Sequence, residues 1–271
     1  MNREQLAGLI KTRRSYLCVG LDSEWEKLPA SVRGEKDPVF SFNKAIIDAT
    51  RDLCVSYKIN TAFYEALGLK GWEAMQKTVE YIGPDHFRIA DAKRGDIGNT
   101  SDQYAKAFFE TMPFDSVTVA PYMGEDSVKP FLKREGKWAI VLGLTSNQGA
   151  ADFELQWMGE QRLYEKVLHR VSQWGNTGNL MFVIGATQAS EFSHIRSIIP
   201  DHFLLVPGVG AQGGSLEEIS SKAMNKDGGI LVNASRAILF ASNGTDFAEA
   251  ARMEAEKYQR QMSGFLDQFV F

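Results

Sequence analysis

The sequence predicts an α/β fold closed into a (β/α)8 barrel, and three observations carry that expectation. Short β-like runs, each closed by Gly, Pro, Ser, Thr, Asn or Asp, recur eight times along the 271 residues. Stretches with helical periodicity fill the intervals. Polar and special residues gather at the C-terminal ends of the runs, the face on which parallel barrels build their sites. With no linker or low-complexity stretch to divide it, the chain reads as a single TIM barrel domain over residues 1–271. A doubly wound open sheet is the alternative that the same alternation allows.

The elements follow in order. The first run, YLCVGLD (16–22), stays apolar until Asp22. After the helical interval PVFSFNKAIIDATRDL, the second run, VSYKIN (55–60), ends in Lys58 and Asn60. The third, FRIADAK (87–93), holds the sharpest anomaly. Side chains alternate along a strand, so Phe87, Ile89, Asp91 and Lys93 are expected on one face, an acid and a base side by side on apolar ground. Burying such charges costs free energy unless each finds a partner. TSDQYAKAFFETM reads as the next helix, before SVTVAPYM (116–123) and WAIVLGLTS (138–146), which ends in Thr145 and Ser146. A helix over QRLYEKVLHRVSQW leads to LMFVIGAT (180–187) and its Thr187, then to FLLVPGVG (203–210) with Gln212 just beyond. SLEEISSKAM precedes GILVNASR (229–236), which closes on Ser235 and Arg236, and the helix DFAEAARMEAEKYQRQMSGFLDQF finishes the chain.

Composition narrows the function classes. A net charge of −4 and a pI near 5.7 give no basis for capturing nucleic acid or an anionic membrane. The opening MNREQLAGLIKTRRS is too polar for a signal peptide, and no apolar run approaches the ~18 residues of a membrane span. Cys18 and Cys54 lie in apolar segments and read as core thiols of a reducing compartment, so a cytoplasmic location is expected. His86, His169, His194 and His202 all fall in helices or just before strands, which argues against a histidine triad or a histidine metal site.

The candidates for chemistry are Lys58 and Lys93 with Asp22, Asp91 and Asp96. A lysine flanked by carboxylates keeps its proton. It is then a poor Schiff-base nucleophile but a good general acid and a good fixed cation beside a developing carbanion. Any one such pair reads equally as a surface ion pair; four strand-end charges on one mouth do not. The interleaved lysines would compete with a metal, so none is expected. In PGVGAQGG, Gly208, Gly210 and Gly213 have dinucleotide-type spacing, but a dinucleotide fingerprint opens the first βα unit and this one follows the seventh run. Loops after strands seven and eight of a barrel commonly bind phosphate, and Arg236 would add a charged fork. A plain turn is the other reading of the glycines.

The stretch DAKRGDIGNTS (91–101) resembles the D-x-K-x-x-D-I-x-N-T signature of the orotidine 5′-phosphate decarboxylase family. VGLD, YKINTAFYE, LTSNQG, PGVGAQGG and NASRA extend the resemblance, in order, over essentially the whole chain, and the TSN and GAQGG segments resemble the family's longer branch. The resemblance implies a homodimeric barrel that converts orotidine 5′-monophosphate to UMP and CO2 without metal or organic cofactor. It implies that Asp22 holds the ribose, that Lys58 links a ribose hydroxyl to the charged network, that Asp91 faces the substrate carboxylate and that Lys93 protonates C6. Asp96 would reach into the neighbouring subunit's site, with Thr100 at the ribose 2′-hydroxyl. Ser146 would bind the pyrimidine amide edge, and Gln212 and Arg236 the phosphate. Many members carry Lys-x-His where this chain reads Lys58-Ile59-Asn60, so no role is implied for Asn60, nor for loop 147–160 beyond Ser146. Rival readings are phosphosugar barrels that share the Asp-x-Lys-x-x-Asp core but steady an enediolate with Mg2+, a Schiff-base aldolase, and a non-catalytic nucleotide-binding barrel. The DIGNTS tail, Ser146 and the lack of a Glu beside Asp91 set the chain apart from the first.

Overall fold

The computed structural model describes residues 1–210 and 213–271. Its strands are β1 (Leu17–Gly20), β2 (Ser56–Asn60), β3 (Phe87–Arg94), β4 (Ser116–Val119), β5 (Trp138–Leu144), β6 (Leu180–Ile184), β7 (Phe203–Pro207) and β8 (Ile230–Ala234). Each pairs in parallel with the next, and β1 pairs with β8 to close the ring, which removes the open-sheet alternative. Helices cover the outside, so strands such as β6 (Leu-Met-Phe-Val-Ile) are buried at every residue and read as unbroken apolar runs.

Local chemistry explains why elements begin and end where they do. Helix Arg3–Arg13 starts at Asn2, whose Oδ1 accepts from Gln5 N at 2.9 Å while Gln5 Oε1 accepts from Asn2 N at 2.8 Å. Its Leu6 and Ile10 are buried beneath the barrel. On that floor Phe87, Trp138 and Phe203, the first residues of β3, β5 and β7, meet edge to face, with centroids 6.0 and 6.5 Å apart. The fourth run is shorter than expected. β4 stops at Val119, because Pro121 has no N–H to donate and the chain turns there, Gly124 N donating back to Pro121 O. The interval at 161–174 also divides. Gln161–Arg162 pairs antiparallel with Trp157–Met158 in a small hairpin, and the helix is Leu163–Val171.

His86 and His202 are buried just before β3 and β7, on the floor and away from the strands' C-terminal ends. Among the described residues, no helix is long and apolar enough to cross a membrane.

Candidate active site

At the C-terminal ends of the strands lies a cavity of about 300 Å³. Asp22, Lys58, Asn60, Asp91, Lys93 and Ser146 line one part of it, and Gly208, Ser235 and Arg236 another. Lys58 projects inward from β2 and is 4 % exposed. Its Nζ donates to Asp22 Oδ1 and to Asp91 Oδ2, both at 3.1 Å. Burial alone would lower its affinity for a proton, but the carboxylates of Asp22 and Asp91 more than offset that and hold it well above the usual lysine range. Burial would likewise favour neutral Asp91, yet Lys58 and Lys93 keep its carboxylate far below the usual carboxylate range. Both groups are therefore charged throughout the neutral range. Asp22 is aimed by its neighbours in sequence: Tyr64 donates to Leu21 O at 2.9 Å, and Ser23 donates to Asn43 Oδ1 at 2.5 Å.

Lys93 arrives by a route that strand alternation does not describe. The β3–β4 register is regular to Ala90↔Val117 and resumes at Arg94↔Val119. Three residues of β3 thus face the single Thr118 of β4, a bulge of the kind that re-aims side chains beside active sites. Lys93 itself has φ +44°, a left-handed conformation that costs a residue other than glycine roughly 1–2 kcal/mol. Arg14 is the other such residue among those described, and there a helix end explains it. From this position Lys93 Nζ donates to Asp91 Oδ1 at 2.6 Å while its side chain stays 52 % exposed, open to the cavity. Behind it Arg94 is paired with Glu65 and lies over the rings of Tyr104 and Phe108. The expectation that Asp91 and Lys93 share a simple strand face therefore gives way to a bulge that brings them together.

The other expected residues divide into three groups. Ser146 and Arg236 line the cavity. Ser146 sits where Gly185 packs against it; a β-carbon at Gly185 would come within 2.6 Å of Ser146 N. Arg236 opens the short helix Arg236–Leu239 and is exposed, with no ion-pair partner among the described residues. Asp96 and Thr100 are not in the lining: Asp96 Oδ1 accepts from Ile97 N at 2.7 Å, and Thr100 is exposed on the helix Gly98–Lys106. Gln212 lies outside the described residues. Gly208, Gly210 and Gly213 have φ of +98°, +71° and +90°, so this segment needs glycine for its turns whatever it binds. Asn60 has a local task as well: it caps the helix Thr61–Glu65, accepting from Ala62 N at 3.3 Å.

Three features escaped the sequence reading. Thr118 donates to Asp91 Oδ1 at 3.0 Å. Asn233 lines the cavity with a buried Oδ1 that has no partner among the described residues, and its side chain fits only because Gly20 opposite lacks a β-carbon. Glu154 accepts from Thr145 N at 2.6 Å and from its hydroxyl, tying the middle of loop 147–160 back beside Ser146. For Thr118 and Asn233 a signal existed, a lone polar residue inside an apolar run; for Glu154 there was none.

Chemically, the array places a protonated amine at a cavity edge with acids behind it. Asp22 and Asp91 balance Lys58 and Lys93 in formal charge, and Lys58 Nζ occupies the point between the two carboxylates where a cation would otherwise sit. Among the described residues, no group of three or more His, Cys, Asp or Glu side chains is arranged to hold a metal ion.

Residues 15–251 match the family model described as "Orotidine 5'-phosphate decarboxylase / HUMPS family". The chain is 58% identical over 270 residues to an orotidine 5'-phosphate decarboxylase of Flavobacterium johnsoniae, covering 98% of this chain and 99% of that one. It is 56% identical over 272 residues to the protein of that name from Phocaeicola vulgatus, covering 99% and 100% respectively. Among solved structures, Leishmania donovani OMP decarboxylase superposes with a TM-score of 0.82 at 31% identity, covering 97% of this chain and 99% of that chain.

Proposed function

Because the chain belongs to the orotidine 5'-phosphate decarboxylase / HUMPS family, we infer from its site how it carries out the reaction of its decarboxylase relatives, orotidine 5′-monophosphate to UMP and CO2. The observation that carries this reading is the half-exposed Lys93 ammonium, held 2.6 Å from a buried, ionised Asp91 at the cavity edge. Loss of CO2 from C6 leaves an electron pair in the plane of the pyrimidine, where the ring's π system cannot delocalise it. Stabilisation must come from a placed cation, and Lys93 supplies both that charge and the proton that ends the step. Asp91 faces the departing carboxylate. Two like charges 4 Å apart repel by about 4 kcal/mol at an effective dielectric near 20, although Lys93 offsets much of it. Transition-state electrostatics carries the larger share of catalysis in this reading.

Asp22 and Lys58 hold the ribose, Ser146 takes the amide edge of the pyrimidine, and Gln212 and Arg236 take the phosphate. Binding of that remote dianion presses the ring into the charged array. Asp96 and Thr100, outside the lining of their own cavity, serve the site of a second subunit in a homodimer. Ile97, Tyr122 and Met123, which are 57%, 90% and 48% exposed on the loops beside Asp96, support that face as the contact. No metal or organic cofactor takes part. We read the chain as one barrel domain of a cytoplasmic enzyme, in keeping with the buried free thiols of Cys18 and Cys54.

The decisive experiment follows loss of orotidylate absorbance with purified protein in EDTA. Full turnover is expected; turnover that needs added Mg2+ would favour the metal-dependent branch of the family. For the composite site, mixing Asp96→Ala with Lys93→Ala under subunit exchange should restore up to about a quarter of wild-type sites, because one site of each heterodimer carries neither lesion. No recovery, with exchange confirmed independently, would return Asp96 to its own subunit.

A further inference from the structure

The left-handed backbone at Lys93 needs something to hold it, and the bulge leaves one group in position. Thr118 is fully buried opposite the three residues of β3, two more than a regular ladder would place there. Its Oγ1 accepts from Lys93 N at 2.8 Å, where a regular ladder would have used a backbone carbonyl, and it donates to Asp91 Oδ1 at 3.0 Å. That same Oδ1 accepts from Lys93 Nζ at 2.6 Å. A closed ring results: Lys93 N, Thr118 Oγ1, Asp91 Oδ1, Lys93 Nζ. Its polarity is forced. An amide nitrogen can only donate and an ionised carboxylate can only accept, so the single hydroxyl hydrogen must point at Asp91. One oxygen thus fixes the lysine at both ends, its backbone directly and its ammonium through the carboxylate.

We propose that Thr118 is a positioning residue for the decarboxylation, setting the direction of the Lys93 ammonium and the rotation of the Asp91 carboxylate. The inference rests on the reading of Lys93 as proton donor. It assigns Thr118 no contact with substrate. Removing the hydroxyl releases the Lys93 N–H from its partner and lets the backbone leave φ +44°, which carries Nζ away from the carbon it must protonate. Displacement of a reacting group by about an ångström can cost ~10²-fold in rate.

The test compares side chains with and without the hydroxyl at this one position. Thr118→Val keeps the shape and loses the oxygen; kcat should fall ~10²-fold, with KM for orotidylate and affinity for UMP within about three-fold of wild type. Thr118→Ser restores the oxygen and should recover kcat to within about three-fold of wild type. If Thr118→Val does not fold, the pair Thr118→Ser and Thr118→Ala carries the same comparison, with Ser active and Ala impaired in kcat. Wild-type kcat in a folded variant without the hydroxyl overturns the proposal. So does a Ser variant as slow as the hydroxyl-free one, or a loss shared between kcat and UMP affinity. Lys93→Ala, assayed in parallel, separates the two levels: an active Lys93→Ala overturns the reading of Lys93 itself, whereas an inactive one beside a fully active Thr118→Val overturns only the role of Thr118.

Discussion

The two ends of the barrel both hold buried charge, and they use it differently. On the floor, Asp115 is saturated by its own protein: it accepts from Arg88 Nε at 2.8 Å, Arg88 Nη2 at 3.1 Å and Arg88 N at 3.0 Å, and its side chain is 3% exposed. Arg196 is likewise spread over the carbonyls of Ile199, His202, Ala223 and Gly229. At the mouth, Lys93 keeps half its surface open, and among the described residues Arg236 has no ion-pair partner and buried Asn233 Oδ1 no donor. Saturated charges hold a fold together, whereas a charge left short of partners in a cavity is ready for a ligand. The backbone differs too: left-handed Arg14, at the floor, ends a helix, whereas left-handed Lys93, at the mouth, lies inside a strand.

The sharpest way to break this comparison is at Lys93. Lys93→Ala should lower kcat by ~10⁴-fold or more, because it removes the acid and the nearest cation together. Retention of more than a few per cent of activity would mean another group protonates C6. Lys93→Gly should be equally inactive yet more resistant to denaturant than Lys93→Ala by about 1 kcal/mol, since glycine adopts positive φ freely. Equal stability of the two would deny that the mouth stores strain.

At the floor the expectation reverses. Asp115→Ala leaves the part-buried Arg88 guanidinium and the Met1 ammonium without their shared carboxylate, so unfolding free energy should drop by about 3–5 kcal/mol. The kcat of the folded fraction should stay within about two-fold of wild type. A large kcat effect would show that the two ends are coupled.

Arg236→Ala returns to the mouth with a smaller effect. Loss of a charged hydrogen bond to phosphate should raise KM for orotidylate ~10–100-fold and weaken UMP binding similarly. Unchanged phosphate affinity would remove β7 and β8 from the phosphate site.

The smallest effect concerns the exception on the floor. His202 is buried against Phe182, with neither ring nitrogen hydrogen-bonded to a described residue. Burial, and then Arg196 and Arg3, push its pKa down to about 4. Its neutral form is thus favoured in the folded state, so the stability involved is present above the ordinary value near 6.5 and is lost as pH falls toward 4. Buried His86 adds to the same slope. His202→Phe should flatten the loss of stability between about pH 6.5 and 4, by about 1–3 kcal/mol in denaturant titrations. An unchanged slope would mean that the ring is already solvated.

Sequence alone determined the eight βα units, the parallel closure they imply and the end of the barrel that carries chemistry. These follow from local patterns: apolar runs bounded by turn residues, helical periods between them, and polar residues at strand ends. It also placed Asp22, Lys58, Asp91, Lys93, Ser146 and Arg236 at one mouth, and the structure brings all six to one cavity. Tertiary structure alone decided how Lys93 gets there. The bulge opposite Thr118 depends on which residues of β3 and β4 stand side by side, and no local pattern encodes the pairing between strands more than twenty residues apart. The links from Glu154 to Thr145 and from Asn43 to Tyr64 are of the same kind. Alternation describes a strand by itself, whereas a hydrogen bond between chain-distant side chains exists only once the barrel has closed and set the distance between them.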